Sequence, residues 1–228
     1  MARFLILRLD GPMQAWGAHT YEDFRPSNLF PTRSGLLGLV GACMGIERDD
    51  HKGMRGLADS IEFAVRVDKS AARIENGNAA IKSHLKLSDY HTVREARRAN
   101  RAPRDGETIQ SWREYLFDAA FTVAIGERQE APVRLDCIER DLRMPCYTAV
   151  LGRRSCPLAR PLVDKDAFVE AADAIVALSL IGPTGGLIYS EGELGSKQPM
   201  QIRDVPLHGK HRQFGTRRIY VHREDSCS

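Results

Sequence analysis

Arginine dominates the side chains able to do chemistry in this sequence: 26 of its 33 cationic residues are Arg and only 7 are Lys. A guanidinium offers a planar fork to phosphate and a flat face to a base. A GC-rich coding sequence would also enrich Arg, so position matters more than number. Arg94, Arg97, Arg98, Arg101 and Arg104 fall within VREARRANRAPRD (93–105), opposed only by Glu95 and Asp105. Arg143, Arg153, Arg154 and Arg160 lie in a stretch, 143–160, that holds no carboxylate. Lys210, Arg212, Arg217, Arg218 and Arg223 fill a second acid-free stretch, 208–223, together with His208, His211 and His222. Residues 164–193 carry Asp164, Asp166, Glu170, Asp173, Glu191 and Glu193 against Lys165 alone. The formal net charge of +3 is therefore a cancellation between basic and acidic segments. Trp16, Tyr147, Phe214 and Tyr220 lie near basic residues, and that pairing suits single-stranded RNA. Cations neutralise phosphates while rings and guanidinium planes stack on unpaired bases.

Signals for bond-breaking chemistry are weaker. The sequence holds no phosphate-cradling glycine loop, no dinucleotide fingerprint, no zinc-protease helix motif and no nucleophile elbow. His208 and His211 have the spacing of a metal pair but no nearby acid or thiolate, and a basic surface loop explains them better. Tyr90, His91 and Arg94 have the side-chain types for metal-free RNA cleavage: a general acid, a general base and a cation. A histidine beside a polar arm also serves as an ordinary hydrogen-bonding residue.

These residues need elements to position them. ARFLILRL (2–9) reads as a buried opening strand stopped by Asp10-Gly11-Pro12. Thr32 is placed to cap a helix over about 33–46. Gly35, Gly38, Gly41 and Gly45 stripe that helix, which implies close approach to its backbone by strands, RNA or a neighbouring chain. A short helix near 54–60 and an alternating strand, IEFAVRVD (61–68), follow. Strand signals return at 115–125. The intervening 69–113 is too polar to build core, and an insertion of this length inside a compact domain usually has a function. A helix over 133–143 completes a β-α-β order, which predicts a ferredoxin-like, RNA-recognition-motif type of α+β sheet over 1–145 with helices on one face, interrupted by the arm at about 69–113. Residues 146–228 read as a small β-rich C-terminal lobe, with strands near 147–151, 187–191, 200–204 and 218–223 and a helix near 166–178.

A chain of 228 residues can bury a sufficient core without disulfides or metal. Its five cysteines form no C-x-x-C pair and read as reduced, small apolar fillers. No apolar run is long enough to span a membrane and no signal peptide is recognisable, so a cytoplasmic protein without cofactor, metal or membrane partner is expected.

The strings LILRLDGPMQAWG (5–17), FPTRSGLLGLVGACMGIERDD (30–50), SDYHTVREAR (88–97), ETIQSWREYLFDAAFTVA (107–124) and YTAVLGRRSCPLARPL (147–162) carry a further signal, extended by IYSE (188–191) and RQFGTRRIYV (212–221). Together they resemble the Cas5-family subunits of type I-E CRISPR effector complexes, over nearly the whole chain and in order. The match is weakest at 164–200. The resemblance implies a non-catalytic, RNA-binding subunit that grips the 5′ handle of the mature CRISPR RNA for antiviral defence. It implies a palm over 1–145 whose thumb insertion, about 69–113, reaches a CasC-type backbone subunit, a small C-terminal lobe over 146–228, a CasA-type large subunit nearby, and target DNA met only through the assembled complex. Under this resemblance, Gln14 and Trp16 are expected to meet bases, with core packing the other reading of Trp16. Arg25, Arg33 and Ser34 would meet phosphates at a helix N-terminus. Arg153 and Arg154 are expected as further phosphate contacts, Tyr147 as a stacking residue, and Arg97, Arg98, Arg101 and Arg104 as thumb contacts. Related subunits of type I-C systems cleave precursor RNA without metal, which keeps an endoribonuclease as the alternative.

Overall fold

The computed structural model describes residues 1–18, 23–68, 74–75, 78–79, 85–95, 108–182, 186–195, 199–207 and 213–224. Strand β1 (Ala2–Asp10) is followed by four two-residue strands, β2 (Met13–Gln14), β3 (Trp16–Gly17), β4 (Phe24–Arg25) and β5 (Ser27–Asn28). Helices α1 (Arg33–Cys43) and α2 (His51–Ser60) lead to β6 (Ile61–Asp68). Beyond the short pair β7 (Ile74–Glu75) and β8 (Asn78–Ala79), β9 (Leu85–Arg94) and β10 (Thr108–Phe117) form a hairpin before β11 (Ala120–Glu127). Helix α3 (Leu135–Arg143), β12 (Phe168–Ala171), α4 (Ala174–Ser179), β13 (Gly186–Ser190), β14 (Pro199–Leu207) and β15 (Gln213–Glu224) complete the chain.

Four strands of the main sheet run β12-β1-β11-β6, every neighbouring pair antiparallel. With α1 and α2 between β1 and β6, and α3 between β11 and β12, this is the strand order of a ferredoxin-like α+β fold. The sheet then continues through β13, β15 and β14 to seven strands. The strands beyond residue 146 thus hydrogen-bond into the same sheet as β1, and β12 supplies its fourth ferredoxin-like position. The sheet does not break at the 145/146 boundary anticipated from sequence.

Alternation in the central strands explains the two buried layers. Leu5, Leu7, Leu9, Phe63, Val65, Phe121, Val123 and Ile125 pack with α1, α2 and α3 in one core. Phe4, Ile6, Ala64, Ala124 and Ile188 face the other way and pack against Ala174, Ala177 and Leu178 of α4. Successive residues of a strand point to opposite faces, so β1 reads as continuously apolar because both faces are covered.

Four polar residues sit on the α4 side. Thr122 Oγ1 accepts from Arg8 Nη1 at 2.6 Å and donates to Asp68 Oδ2 at 2.8 Å. Arg66 donates Nε to Asp68 at 2.8 Å and Nη1 to the Leu178 carbonyl at 2.5 Å. A guanidinium at the end of α4 satisfies carbonyls the helix cannot bond itself. These contacts hold α4 over the face of the sheet opposite α1, α2 and α3.

Sequence and structure agree where signals are local. Thr32 caps α1, its Oγ1 accepting the Gly35 N–H at 3.3 Å, and β6 spans 61–68. They diverge where signals are short. The helix anticipated over 166–178 is a strand, 168–171, followed by a helix confined to 174–179. The strand anticipated over 115–125 is two strands, turned at Asp118 with φ +49°. Residues 147–151 form no strand, and Val150 makes an isolated bridge to Pro157. Cys43 and Cys156 are buried fillers, whereas Cys137 and Cys146 are exposed. No helix among the described residues is long and apolar enough to cross a membrane.

Candidate nucleic-acid interface

The loop after β1 and the loop 150–157 are built against each other. Ala15 N–H donates to the Leu151 carbonyl at 3.0 Å, and Leu151 N–H donates to the Cys156 carbonyl at 2.8 Å. Gly152 has φ +91°, and a Cβ there would stand 1.8 Å from the Ala15 carbonyl oxygen, so the two loops meet backbone to backbone. Only glycine combines that dihedral with that approach.

This junction fixes Arg153 and presents Arg154. Arg153 donates Nη1 to the Glu114 carbonyl at 3.0 Å and Nη2 to the Arg25 carbonyl at 2.8 Å. Its guanidinium lies 4.8 Å from the Tyr115 ring centroid. It therefore clamps β4 to β10, a structural role beyond the phosphate contact anticipated from sequence. Arg154 is exposed beside it. Arg25 is half-buried and stands opposite Arg113 in the β4–β10 register. Arg25, Arg113, Arg153 and Arg154 thus gather from three distant segments at the base of the β9–β10 hairpin. Carboxylates lie beside them: Asp89 stands opposite Arg113 in the β9–β10 register, and Glu114 is bound by Lys86 Nζ at 2.9 Å and by Ser27 N–H at 3.1 Å. Burial opposes ionisation of Glu114, but those two hydrogen bonds and the Lys86 and Arg153 charges hold its pKa below the usual value.

Three anticipated contact residues face inward instead. Gln14 and Trp16 have no exposed surface. Gln14 Nε2 donates to the carbonyls of Leu9 at 3.1 Å and Ala119 at 2.5 Å, and its Oε1 accepts from Trp16 Nε1 at 3.0 Å. The pair ties the loop into the core, and a fully enclosed ring offers no face to a base. Trp16 packs on α1 at Gly35, where a Cβ would come within 2.8 Å of the indole; at Gly41 the close neighbour is Met54 Sδ, also 2.8 Å, from α2. Those two glycines of the stripe are explained by the protein's own packing, while Gly38 is exposed with open space beside it.

Arg33 is likewise internal, 6% exposed. Its Nη1 contacts both Glu191 carboxylate oxygens at 2.6 Å, and its Nη2 donates to the carbonyls of Ala58 and Ile61 at 2.7 and 3.2 Å. Its backbone N–H, at the start of α1, donates to Asp204 Oδ2 at 2.7 Å. Asp204 is 2% exposed and is gripped in turn by Arg217 at 2.6 and 2.8 Å. A helix N-terminus favours an anion, and an internal carboxylate from β14 fills that place in this fold. The phosphate role expected of Arg33 does not fit this geometry. Ser34 is partly buried beside the Thr32 cap, the two hydroxyls 3.4 Å apart. Tyr147 is 43% exposed and hydrogen-bonded to Glu47 through its hydroxyl, so its ring face stays at the surface. Arg97, Arg98, Arg101 and Arg104, and also His208 and His211, lie outside the described residues.

The Tyr90, His91 and Arg94 set does not converge. Alternation along β9 puts Tyr90 and Arg94 on one face and His91 on the other. Tyr90 packs against Trp112, with ring centroids 5.3 Å apart, while His91 Nε2 lies 2.7 Å from Asp89. Among the described residues no group of three or more His, Cys, Asp or Glu side chains could hold a metal ion.

Sequence reasoning missed Trp112, its neighbour Phe24 and Arg113, and weighed Tyr90 only as an acid. The alternation in TIQSWREYLF was the available signal for β10, but the strands beside it are not encoded locally.

Comparison with known proteins supplies the wider frame. The family described as CRISPR-associated protein (Cas5) matches residues 4–220. "CRISPR system Cascade subunit CasD" of Escherichia coli (strain K12) is 46% identical over 222 residues, covering 97% of this chain and 96% of that protein. A chain of a solved structure titled "CRISPR RNA-guided surveillance complex" superposes with a TM-score of 0.70 at 29% identity, covering 97% of this chain and 90% of the other. A second, "Crystal structure of Cas protein", shares the fold with a TM-score of 0.63 at 24% identity, covering 97% and 94%. On this ground, and with the ferredoxin-like strand order already established, the chain belongs to the Cas5 family of CRISPR-associated proteins.

Proposed function

We propose that this chain is a non-catalytic RNA-binding subunit of a type I-E Cascade complex, holding the 5′ handle of the CRISPR RNA. The observation that carries the reading is the gathering of Arg25, Arg113, Arg153 and Arg154 at the base of the hairpin, where exposed Arg154 is held by a junction only Gly152 permits. Phosphate contacts fix register and supply salt-dependent affinity, which a rigidly positioned arginine cluster provides. The relative that is 46% identical is named a Cascade subunit, and this supports the same assembly here. In that assembly the β9–β10 hairpin is the thumb directed at a CasC-type backbone subunit. The β13–β14–β15 extension is the smaller lobe, a CasA-type subunit lies near the handle, and target DNA is reached through the complex in the cytoplasm.

Titration of the purified chain with repeat-derived handle RNA across a salt series tests this. Binding that weakens with salt, and an Arg154→Glu variant that binds less tightly with a shallower salt slope, is the expected result. Equal binding by that variant would favour a structural cap that contributes little to RNA affinity. The endoribonuclease alternative has its own control. Incubation of repeat RNA in EDTA should leave it intact, and cleavage abolished by His91→Ala would establish the enzyme instead.

A further inference from the structure

The β9–β10 hairpin and β4 carry a row of three aromatic rings. Trp112 stands directly opposite Phe24 on one side and Tyr90 on the other, in register across three adjacent strands. Phe24 and Trp112 are stacked, their centroids 5.3 Å apart and their planes 18° from parallel. Tyr90 and Trp112 are also 5.3 Å apart, tilted by 49°. With neighbouring strands about 4.8 Å apart, rings at this spacing stand up from the sheet in a row. The terminal rings remain in contact with solvent, Phe24 56% and Tyr90 51% exposed.

Cross-strand aromatic pairs are ordinary stabilisers of a sheet. They do not account for two end rings left more than half exposed. Charge on the same face indicates what would cover them. Tyr90 lies midway between Lys86 and Arg94, each four residues away along β9, or about 13 Å. Lys86 is held by Glu114 at 2.9 Å, and the Arg94 side chain is 74% exposed, 3.5 Å from Glu95. Arg25 and Arg113 each follow a ring residue by one position, so they stand on the opposite face of the same strands, and the cations beside the rings are Lys86 and Arg94. Rings flanked by cations match an unpaired nucleotide chain, whose bases continue a stack while its phosphates reach the charges. On the main sheet, α4 packs over Phe4, Ile6, Ala64, Ala124 and Ile188, so that apolar patch is already covered.

We infer that Phe24, Trp112 and Tyr90 form a stacking platform for unpaired bases of single-stranded RNA on the hairpin face of this protein. The inference rests on the RNA-binding reading above and assigns that binding a second, base-directed component.

The test uses the full-length chain and two short oligoribonucleotides of equal length, one of adenylates and one abasic. The sequence has two tryptophans, Trp16 and Trp112. Trp16 is fully buried, so quenching by adenylate reports on Trp112. The platform predicts quenching by the adenylate oligomer, weaker binding of the abasic oligomer, and about tenfold loss of adenylate affinity in Phe24→Ala and Tyr90→Ala. The salt slope should be unchanged, because no phosphate contact is removed. Equal affinity for the two oligomers, or ring variants that bind adenylate normally, would overturn the platform while salt-dependent binding left the RNA-binding reading intact. Ring variants that bind RNA normally but fail to assemble with other subunits would overturn it too, assigning this face to a protein contact. If the wild type bound neither oligomer and also failed to bind handle RNA, the underlying reading would fall with it. Thermal unfolding of the exposed Phe24→Ala and Tyr90→Ala variants separates loss of binding from loss of the hairpin.

Discussion

Arg33 Nη1 lies 2.6 Å from both carboxylate oxygens of Glu191, a residue 158 positions later in the chain. The contact joins the first turn of α1 to the end of β13, and Glu191 also meets Arg217 at 3.3 Å and Arg128 at 3.1 Å. With Asp204 on the N-terminus of α1 and Arg217 on Asp204, two carboxylates and three arginines fasten the ferredoxin-like half of the sheet to its extension. Replacing Arg33 by Met should therefore cost stability rather than RNA affinity. Removing one partner leaves Glu191 under-compensated, so a loss of about 3–5 kcal/mol is expected. Urea unfolding checks this. A midpoint equal to that of the wild type, with handle binding lost, would restore Arg33 to the RNA interface.

The two adjacent arginines of the 150–157 loop should separate in the same way. Arg153 bonds two carbonyls and covers Tyr115, so Arg153→Ala should lower both stability and RNA affinity. Arg154→Ala should leave the unfolding midpoint unchanged and reduce the slope of log affinity against log salt by about 0.7, the value for one phosphate contact on a single strand. Identical behaviour of the two variants would contradict the division between clamp and contact.

What was legible in the sequence follows the range of the interactions involved. The Thr32 cap and the strand 61–68 are encoded within a few residues, and the structure retains both, whereas α1 stops at Cys43 and leaves Gly45, φ +75°, outside the stripe expected of it. The fates of Gln14, Trp16 and Arg33 depend on Ala119, Ser27, Asp204 and Glu191, which no local pattern links to them. Their side-chain types suit an RNA site, but the same hydrogen-bonding capacity was drawn inward by distant partners. The FVEA strand failed to register because four residues show too little alternation beside an apolar helix of six. The row of Phe24, Trp112 and Tyr90 depends on register across a hairpin, which sequence alone leaves open. Arg153 and Arg154 were legible as a pair, but their different roles were not, since those depend on which one reaches the Glu114 and Arg25 carbonyls.

Gly152→Ala is expected to disturb the junction that positions those arginines. Its φ of +91° strains any side chain, and the added Cβ would meet a backbone carbonyl at 1.8 Å, which cannot swing away as a side chain could. A loss of at least about 2 kcal/mol is expected. RNA affinity should fall with it, since Arg153 and Arg154 shift with the loop. Gly38→Ala, on the exposed face of α1 with open space around it, should instead stabilise by up to about 1 kcal/mol. Paired denaturation curves of the two variants provide the check, and equal effects would contradict the geometry at both positions.

Cysteine reactivity should divide by burial. Desolvation, reinforced by the Asp141 charge, pushes the Cys43 thiol up to about 11, and burial also raises Cys156 despite hydrogen bonds from Ser155 and Arg153 that oppose it. The thiolate is the nucleophile, so both should resist iodoacetamide at neutral pH while exposed Cys137 and Cys146 react. Peptide mapping after brief labelling of the folded chain checks this, and early modification of Cys43 would contradict its place in the core.

Stability should also carry a histidine signature in mild acid. His222 Nε2 stands 2.9 Å from Ser190 Oγ on the neighbouring strand, and burial depresses its pKa below the ordinary 6.5, only partly offset by the Asp173 charge. The unfolded chain then binds a proton more readily than the folded one. The contribution is fully present above pH 6.5 and is lost as pH falls through the depressed folded value. A His222→Gln variant keeps a hydrogen-bonding side chain beside Ser190 but cannot titrate. Its urea midpoint should fall less steeply than that of the wild type over the interval just below pH 6.5. Parallel curves for the two proteins there would show that His222 titrates alike in the folded and unfolded chains, and the burial argument at β15 would fail.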